Sequence, residues 1–275
     1  MTFPVTAPKG GALRIATVNV NGLRAAWRKG MQEWLEPREV DILCMQEVRA
    51  PDPVVRGYFD GWNVLHAEAD AKGRAGVAIA SQEPPTQTRV GIGDDYFATA
   101  GRWVEADYTL DGGRQLTVVS AYVHSGEAGT PKQVDKYRFL DVMLKRLPEL
   151  AEFSDYALVV GDLNVGHTPL DIRNWKANQK RAGFLPEERA YFDRFFGDEI
   201  GWRDVHRGLA GEVDGPYTWW SQRGKAFDND AGWRIDYHMA TPPLATAARN
   251  AVVDRAAAWD TRWSDHAPLV IDYQL

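Results

Sequence analysis

The stretch Leu13–Gly22, LRIATVNVNG, decides the fold together with the stretch Asp41–Glu47, DILCMQE. The first stretch alternates in hydrophobicity as a strand does, and it ends at the turn signal Asn21-Gly22. Residues 24–36 between the two stretches have a helix-forming composition with one apolar stripe, closed by Pro37. The second stretch contains the short apolar run typical of a buried strand. The sequence therefore predicts a β-α-β unit at the start of the folded chain.

Strands and hairpins dominate the chain from residue 62 to residue 123, and helices alternate with strands after that. Asp111-Gly112-Gly113 has the composition of a hairpin turn. A long helix is expected over residues 132–153, directly before the apolar run of a central strand that stops at Gly161-Asp162. The strands expected after the opening unit cover residues 76–80, 102–108, 115–123, 156–160, 217–221, 233–239 and 267–273.

One catalytic domain is expected over residues 13–275, preceded by a flexible extension over residues 1–12. No segment has the composition of a linker, and none repeats at a fixed period. Strands combined with helices and hairpins favour an α/β fold in which two mixed β-sheets pack face to face as a sandwich flanked by helices. Periodicity alone leaves a doubly wound sheet open as an alternative.

The charge balance limits the ways in which this chain could bind nucleic acid. Its 32 Lys and Arg residues stand against 38 Asp and Glu residues, for a net charge of −6. A protein that coats nucleic acid would be basic, because such binding depends on many cations that neutralise phosphates. A metal-dependent nuclease can be acidic, but it needs a local basic patch. Candidates for this patch are Arg74, Arg102, Lys132, Lys136, Arg138, Lys176, Lys180, Arg181 and Arg223.

Several classes of protein are excluded by motifs that the sequence lacks. Cys44 is the only cysteine, so an internal disulfide and a thiolate zinc cluster are impossible, and its apolar neighbours predict a buried thiol. There is no P-loop, no convincing dinucleotide-binding fingerprint and no Gly-x-Ser-x-Gly motif. No signal-peptide core and no apolar segment long enough to span a membrane is found. A cytoplasmic protein without a membrane partner is expected.

Polar side chains collect where the expected strands end. They are Asn19, Asn21, Gln46, Glu47, Asp162, Asn164, Asp236, Asp265 and His266. Any one of them alone is better explained as a turn-capping group. Together they supply mostly oxygen ligands, which suit Mg²⁺ because this cation prefers oxygen, keeps several waters and takes few protein carboxylates. Glu47 is the first choice of ligand, whereas the absence of a Cys pair and of His-x-x-x-His spacing disfavours zinc.

Four segments resemble, in order, the motifs of the exonuclease III family of abasic-site (AP) endonucleases. They are Leu13–Arg24, Asp41–Glu47, Gly161–Val165 and Ser264–Leu269. These motifs alone mark a wider superfamily of endonucleases, exonucleases and phosphatases, which includes DNase I-like nucleases, inositol polyphosphate phosphatases and sphingomyelinases. Residues 171–189 are also similar to the family's DNA-contacting loop, and residues 217–237 are similar to its abasic-site pocket. The resemblance implies a four-layer α/β/β/α fold of the DNase I type.

The resemblance further implies roles for the polar cluster. Asp162 would deprotonate the attacking water, Asn164 would orient this water, and His266 would donate to a phosphate oxygen. Asp236 would hold the imidazole of His266, and Tyr122 would contact the scissile phosphate. The implied site for Mg²⁺, with Mn²⁺ able to substitute, comprises Glu47, Asn21, Asn19, Asp265, Asp162 and Asn164.

Contacts with DNA are implied for residues that the sequence alone would assign to a solvated face or to the core. The family pattern puts Trp219 and Trp233 around a flipped abasic sugar, with Trp220 behind them. A tight apolar pocket admits a sugar that lacks its base and excludes an intact nucleotide. The implied DNA-binding residues are Arg74, Arg102, Asn174, Lys176, Asn178, Trp219, Trp220 and Trp233.

The expected function is a metal-dependent DNA phosphodiesterase of base excision repair. It would act as a monomer on duplex DNA, cut 5′ to abasic sites to leave a 3′-hydroxyl, and process blocked 3′ ends as a 3′→5′ exonuclease and 3′-phosphodiesterase. Asn21, Arg74 and Trp175 depart from the family pattern, which bears on substrate preference more than on reaction type. Two other hypotheses stay open: a phosphatase of small phosphoesters or lipids, and a catalytically silent DNA-binding protein.

Overall fold

The structure is a computed structural model that describes residues 11–275, and its strands form two six-stranded sheets. The strands are β1 Leu13–Asn19, β2 Ile42–Gln46, β3 Asn63–Ala67, β4 Val77–Ser81, β5 Gln87–Val90, β6 Trp103–Thr109, β7 Gln115–Tyr122, β8 Tyr156–Asp162, β9 Arg203–Asp204, β10 Asp236–Ala240, β11 Ala248–Val253 and β12 Leu269–Tyr273. The α-helices are α1 Leu23–Ala26, α2 Gln32–Leu35, α3 Asp52–Tyr58, α4 Pro131–Phe153, α5 Trp175–Asn178, α6 Pro186–Phe196, α7 Val205–Ala210 and α8 Pro242–Ala247. Residues 1–10 of the expected N-terminal extension lie outside the described residues.

Both sheets are mixed. The first has the order β11-β12-β1-β2-β4-β3, with β1 parallel to β2 and antiparallel to β12. The second has the order β5-β6-β7-β8-β10-β9, with β7 parallel to β8 and antiparallel to β6. This topology confirms the predicted sandwich of two mixed sheets and removes the doubly wound alternative. The single domain predicted over residues 13–275 stays a prediction.

The central strands of each sheet bury both of their faces, which is the origin of the four layers. In β1, Ile15 belongs to the core between the sheets, whereas Ala16 and Val18 pack against the helices outside the first sheet. In β8, Val160 faces the other sheet, while Val159 faces the helices outside the second sheet. Because successive strand residues point to opposite faces, each strand contributes to two apolar layers. Cys44 lies in the layer between the sheets and is buried, as predicted.

The predicted helices and strands agree with the structure except for one helix, which is interrupted at a glycine, and one strand, which is replaced by isolated β-bridges. The helix expected over 24–36 is interrupted at Gly30, whose φ of 114° is a conformation that glycine adopts readily. The strand expected over 217–221 is wrong: in it, Trp219 forms only isolated bridges with Trp233 and His266. None of the helices in residues 11–275 is long and apolar enough to cross a membrane.

A buried ionic network fixes the segments that lead into the open end of the sandwich. Arg234 is 1% exposed and donates to Asp171 at 2.7 Å and to Asp204 at 2.6 Å. Arg207 donates to the same Asp171 carboxylate at 2.6 Å. Burial opposes ionisation of Asp171, but the guanidinium groups of Arg234 and Arg207 outweigh it and hold the pKa of this carboxyl well below its usual range. The network therefore positions Asp236, which follows Arg234 by two residues.

We expect Asp171→Asn to lower the free energy of unfolding by about 3 kcal/mol, because it removes the charge that Arg234 and Arg207 share and leaves Asp204 to compensate the buried Arg234 guanidinium. The depressed pKa of Asp171 stabilises the folded chain above the pKa of an unfolded aspartate, roughly 3.9, and this contribution is lost as the pH falls toward the folded-state pKa. Urea denaturation at neutral and acidic pH measures both effects.

The matched control for this substitution is Asp214→Asn, which removes an exposed ion pair with Arg173. It should cost less than about 1 kcal/mol, because water screens exposed charges. Equal losses in the two variants would show that the buried network does not stabilise the fold.

Candidate active site

The inward-facing strand residues become polar at one end of the sandwich. β1 ends at Asn19, β2 at Gln46, β7 at Tyr122 and β8 at Asp162, while β10 begins at Asp236. The strand registers pair Asn19 with Gln46, and they pair Asp162 with both Tyr122 and Asp236. Mostly apolar side chains fill the rest of the layer between the sheets, together with the buried polar side chains of Thr17, Ser120 and His238. The polar ends therefore meet in one cleft, as the sequence predicted.

Asn19 links the two sheets within this cleft. It is fully buried, and its Nδ2 donates to Glu47 Oε1 at 2.9 Å and to Asp162 Oδ2 at 2.9 Å. Its Oδ1 accepts from the backbone N–H of Asn21 at 2.9 Å. Because both neighbouring carboxylates can only accept when ionised, this arrangement fixes the orientation of the amide.

Glu47 lies at the mouth of the cleft and is surrounded by donors. In addition to the Asn19 amide, the Tyr122 hydroxyl donates to Glu47 Oε1 at 2.6 Å, and the guanidinium of Arg49 forms an ion pair with the carboxylate. The φ angles of Asn21, Glu47 and Asn164 are 47°, 50° and 53°, in the left-handed region. Such backbones cost of order 1–3 kcal/mol each and cluster at functional sites.

A carboxylate–imidazole–carboxylate group lies deeper in the cleft. His266 Nδ1 lies 2.8 Å from Asp236 Oδ2, and His266 Nε2 lies 3.7 Å from Asp162 Oδ2. Burial disfavours the imidazolium, but the charges of Asp236 and Asp162 outweigh it and raise the pKa of His266 to about 10. Burial also raises the pKa of Asp162, and the His266 cation opposes this effect. The backbone N–H of Asn164 donates to Asp162 Oδ1 at 3.0 Å and holds the carboxylate in place.

Two hydroxyl groups complete this arrangement and were missed from the sequence. Thr218 Oγ1 donates to Asp236 Oδ2 at 2.6 Å, and Ser264 Oγ donates to the backbone oxygen of Asn19 at 2.7 Å. Thr218 lies within the segment that resembles an abasic-site pocket, and Ser264 directly precedes Asp265. Their proximity to motif residues was the only signal in the sequence that could have identified them.

A second chain of contacts connects Asn21 to an aromatic pair. Asn21 Nδ2 donates to Asp265 Oδ1 at 2.9 Å, and Trp219 Nε1 donates to Asp265 Oδ2 at 3.2 Å. The rings of Trp219 and Trp233 are nearly perpendicular, at 89°, with centroids 6.0 Å apart. Trp220 is buried, and its Nε1 donates to Asp230 at 3.0 Å. The two partly exposed tryptophans therefore border the polar cluster, and Trp220 packs away from it.

The basic residues expected to bind DNA occupy three different positions. The Arg102 guanidinium lies over the Tyr122 ring, 4.6 Å from its centroid, and is part of the cleft. Arg74 lines a depression of about 330 Å³ together with Arg24 and Arg49. Because Arg49 is paired with Glu47, this depression adjoins the cleft.

A separate depression of about 520 Å³ contains three more of the expected DNA-binding residues, Asn174, Lys176 and Asn178. Trp175, one of the departures from the family pattern, also lines it. Asn174 and Lys176 are exposed, whereas the amide of Asn178 donates to the backbone oxygen of Asn174 at 2.8 Å. This segment leads to Gly183, which lies in close contact with Trp233. The loop is therefore connected to the aromatic side of the cleft.

Lys136 was wrongly included in the predicted basic patch. It is fully buried, and its Nζ donates to Glu188 Oε1 at 2.7 Å and to the backbone oxygen of Asn164 at 2.8 Å. Glu188 Oε2 in turn accepts from the backbone N–H of Gly183 at 2.6 Å. Lys136 therefore supports the backbone around Asn164 and does not contribute a free surface charge.

The oxygen-rich mouth of the cleft has the composition of a site for a hard cation. Within residues 11–275 no group of three or more His, Cys, Asp and Glu side chains is arranged as a preformed cage for a metal ion. Instead, the Asn21 amide donates to the Asp265 carboxylate, and the Asn19 side chain connects Asn21 to the Glu47 carboxylate. A guanidinium cation also contacts Glu47. Mg²⁺ takes one or two carboxylates and fills its remaining positions with water and substrate phosphate oxygens. The residues present fit a cation of this kind.

The fold and the cleft define a member of the Endonuclease/Exonuclease/phosphatase family, and the family model matches residues 16–266. The chain is 31% identical over 258 residues to an exodeoxyribonuclease of Bacillus subtilis, covering 94% of this chain and 98% of that protein. It is 30% identical over 277 residues to exodeoxyribonuclease III of Haemophilus influenzae, covering 95% and 100% of the two chains. An AP endonuclease structure from Archaeoglobus fulgidus matches with a TM-score of 0.83 at 30% identity, covering 96% of this chain and 100% of that one.

These relatives confirm the resemblance to the exonuclease III family and the four-layer fold that it implied. Catalysis in this family depends on a divalent metal, which agrees with the oxygen-rich mouth of the cleft.

We expect Asp236→Asn to lower the pKa of the His266 imidazole, because it removes the carboxylate charge 2.8 Å from Nδ1. NMR titration of the histidine ring resonances measures this pKa. The raised pKa of wild-type His266 stabilises the fold below the pKa of an unfolded histidine, roughly 6.5, and this contribution is lost as the pH rises toward about 10. The variant should therefore lose less stability over that alkaline range. An unchanged pKa in the variant would mean that Asp236 does not set the charge of His266.

Proposed function

We propose that this chain is a divalent metal-dependent DNA phosphodiesterase of base excision repair. It cuts duplex DNA 5′ to abasic sites to leave a 3′-hydroxyl, and it acts on 3′ ends as a 3′→5′ exonuclease and 3′-phosphodiesterase. The observation that carries the proposal is the Asn19 amide, which holds Glu47 and Asp162 in one cleft beside the Trp219–Trp233 pair. The similarity to exodeoxyribonucleases and to an AP endonuclease supports DNA as the substrate.

Glu47, Asp265 and Asn21 are proposed to hold the cation, which is Mg²⁺ with Mn²⁺ as a substitute. When bound, such a cation neutralises charge on the phosphate and on the leaving 3′ oxygen. Asn19, Asp162 and Asn164 were also expected near the metal. Because the Asn19 amide and the Asn164 backbone N–H both donate to the Asp162 carboxylate, we assign these two residues to positioning Asp162 toward the attacking water.

Asp162 is proposed to accept a proton from the attacking water. Burial raises the pKa of this carboxyl and makes the carboxylate a better base, while the nearby His266 cation favours its ionised form. Hydrogen bonds from Asn19 and from the Asn164 backbone reach different oxygens of the carboxylate and fix its orientation. A general base requires this combination of basicity and fixed geometry.

Hydrogen-bond donors in the cleft are proposed to stabilise the negative charge that develops on the phosphate. His266 stays protonated because Asp236 and Asp162 raise its pKa. Burial and the nearby Glu47 carboxylate raise the pKa of Tyr122, so its hydroxyl stays a donor. Arg102 adds a cation next to this ring. Donors that are held in place before the reaction provide the largest contribution to catalysis of this kind.

The pair Trp219 and Trp233 is proposed to receive the flipped abasic sugar, with Trp220 supporting it from behind. An unpaired abasic site costs less to extrude than a stacked base pair, and an apolar pocket excludes an intact nucleotide by size. The strand phosphates are proposed to contact Arg74, Arg102, Asn174, Lys176 and Asn178. The expected cytoplasmic location and monomeric state stay predictions.

A duplex with one central abasic site tests the proposed activity directly. With Mg²⁺ or Mn²⁺ the purified protein should produce a single nick with a 3′-hydroxyl, which a DNA polymerase can extend, whereas removal of the metal with EDTA should stop cleavage. An undamaged blunt duplex run in parallel measures the 3′→5′ exonuclease activity. Folded protein that cuts neither duplex with either metal would end the proposal.

Asp162→Asn and His266→Ala should each reduce kcat by at least about a hundredfold, because each removes a group that acts on the reacting atoms. The matched control is Asp155→Asn, which changes an exposed carboxylate directly before β8, at the opposite end of the strand from Asp162. Single-turnover cleavage of the abasic duplex measures the effect, and urea denaturation confirms that each variant is folded. A near-normal rate in either active-site variant would remove that residue from the mechanism.

A further inference from the structure

An exposed tryptophan beside the cleft has no role in the proposed chemistry. Trp259 is 50% exposed, whereas Trp263 in the same segment is 5% exposed and packs against Trp34 with ring centroids 5.6 Å apart. A single exposed apolar residue is ordinary on a protein surface. Trp259 differs from such a residue because it lies next to residues of the candidate active site.

Trp259 lines a depression that opens from the candidate active site. The depression has a volume of about 300 Å³ and is bordered by Asn21 and Asp265 on the side of the site and by Trp259, Lys29 and Arg262 elsewhere. Pockets for small ligands have volumes of roughly 300–1,000 Å³, so this space is large enough for one nucleotide unit. Its lining combines an aromatic surface, which suits a planar base, with the cations Lys29 and Arg262, which suit a phosphate, and with the carboxylates of Asp260 and Asp265.

The aromatic surface is held in place before any ligand binds. The Arg262 guanidinium lies 5.6 Å from the centroid of the Trp259 ring and 5.3 Å from that of Phe227. Arg262 also donates to the backbone oxygen of Trp220 at 3.3 Å and to Gln222 Oε1 at 2.8 Å. A side chain that is already ordered loses little conformational entropy on binding. Arg262 is therefore an ordered support next to the Trp259 ring.

The direction of the DNA strand follows from the contacts of Asp265. On one side Trp219 donates to Asp265, and Trp219 belongs to the proposed pocket for the abasic sugar. On the other side Asn21 donates to Asp265 and borders the depression. The abasic sugar lies 3′ to the scissile phosphate in the proposed reaction. A strand that continues past Asp265 into the depression therefore runs toward the 5′ side of the cut.

We infer that this depression is a subsite for the nucleotide immediately 5′ to the scissile phosphate, whose base is unpaired and stacks on Trp259. Lys29 and Arg262 then lie near the phosphate of this nucleotide. The inference rests on the proposed function and narrows its substrate class. A subsite of this kind favours abasic sites with an unpaired 5′ neighbour, and frayed or mismatched 3′ ends, over fully paired duplex DNA.

The stacking contact can be measured with 2-aminopurine placed 5′ to the abasic site, opposite a mismatched base. Binding is followed by fluorescence in the Asp162→Asn background, where the substrate stays uncut. Stacking on Trp259 should quench the emission, and Trp259→Ala should abolish this change while Trp259→Phe retains most of it. Phe153→Ala is the matched control, because Phe153 is 47% exposed, has Arg89 and Arg146 over its ring, and lies at the far end of α4.

Kinetics on two abasic duplexes, one with a paired and one with an unpaired 5′ neighbour, give a second measurement. Trp259→Ala should raise KM roughly tenfold for the unpaired substrate, equivalent to about 1.4 kcal/mol of lost stacking, and should leave kcat nearly unchanged. Identical quenching and KM in wild type, Trp259→Ala and Phe153→Ala would overturn the inference. Cleavage by the wild type in that case would leave the proposed function intact, whereas no cleavage of any duplex by the wild type would reject the function itself.

Discussion

The candidate site depends on one buried amide that holds two carboxylates from different sheets. Asn19 at the end of β1 donates to Glu47, which follows β2 in the same sheet, and to Asp162, which ends β8 in the opposite sheet. Two ionised carboxylates at such a place repel each other, and each needs a donor to compensate for lost hydration. A single NH₂ group with two hydrogens meets both needs. The packing of the two sheets therefore sets the distance between Glu47, the proposed cation ligand, and Asp162, the proposed base.

The alternation of side chains along each strand explains how this arrangement arises. The face that carries Ile15 in β1 and Val160 in β8 fills the layer between the sheets, and the same face continues to Asn19 and Asp162 at the strand ends. Both polar groups are consequently held by a rigid apolar core rather than by loops. Residues held in this way lose little freedom when a substrate binds, which favours catalysis that relies on fixed charges.

Charge compensation continues outward from this centre. Asp236 lies between His266 and the Thr218 hydroxyl. Arg234, two residues earlier in the chain, is held by the buried carboxylates of Asp171 and Asp204. Asp171 also starts the segment that reaches the proposed DNA-contacting loop. The same ionic network therefore supports the imidazole and the loop, so that the chemical site and the substrate-binding surface share one support. A cleft with buried charges needs such compensation, because an unpaired buried charge is strongly destabilising.

The sequence by itself determined the central strands, the polar residues at their ends and the family, because strand alternation and short motifs are local properties. It could predict that Glu47, Asp162 and His266 belong together, since each follows, ends or precedes a strand with a recognisable pattern. Only the tertiary structure decided the fate of Lys136, whose partner Glu188 lies 52 residues away, and of Thr218, which bonds to Asp236. Likewise, Trp219 pairs with separate segments through single bridges, which no local periodicity records. Burial and partner choice depend on which distant segments the core brings together, and that information is spread over the whole chain.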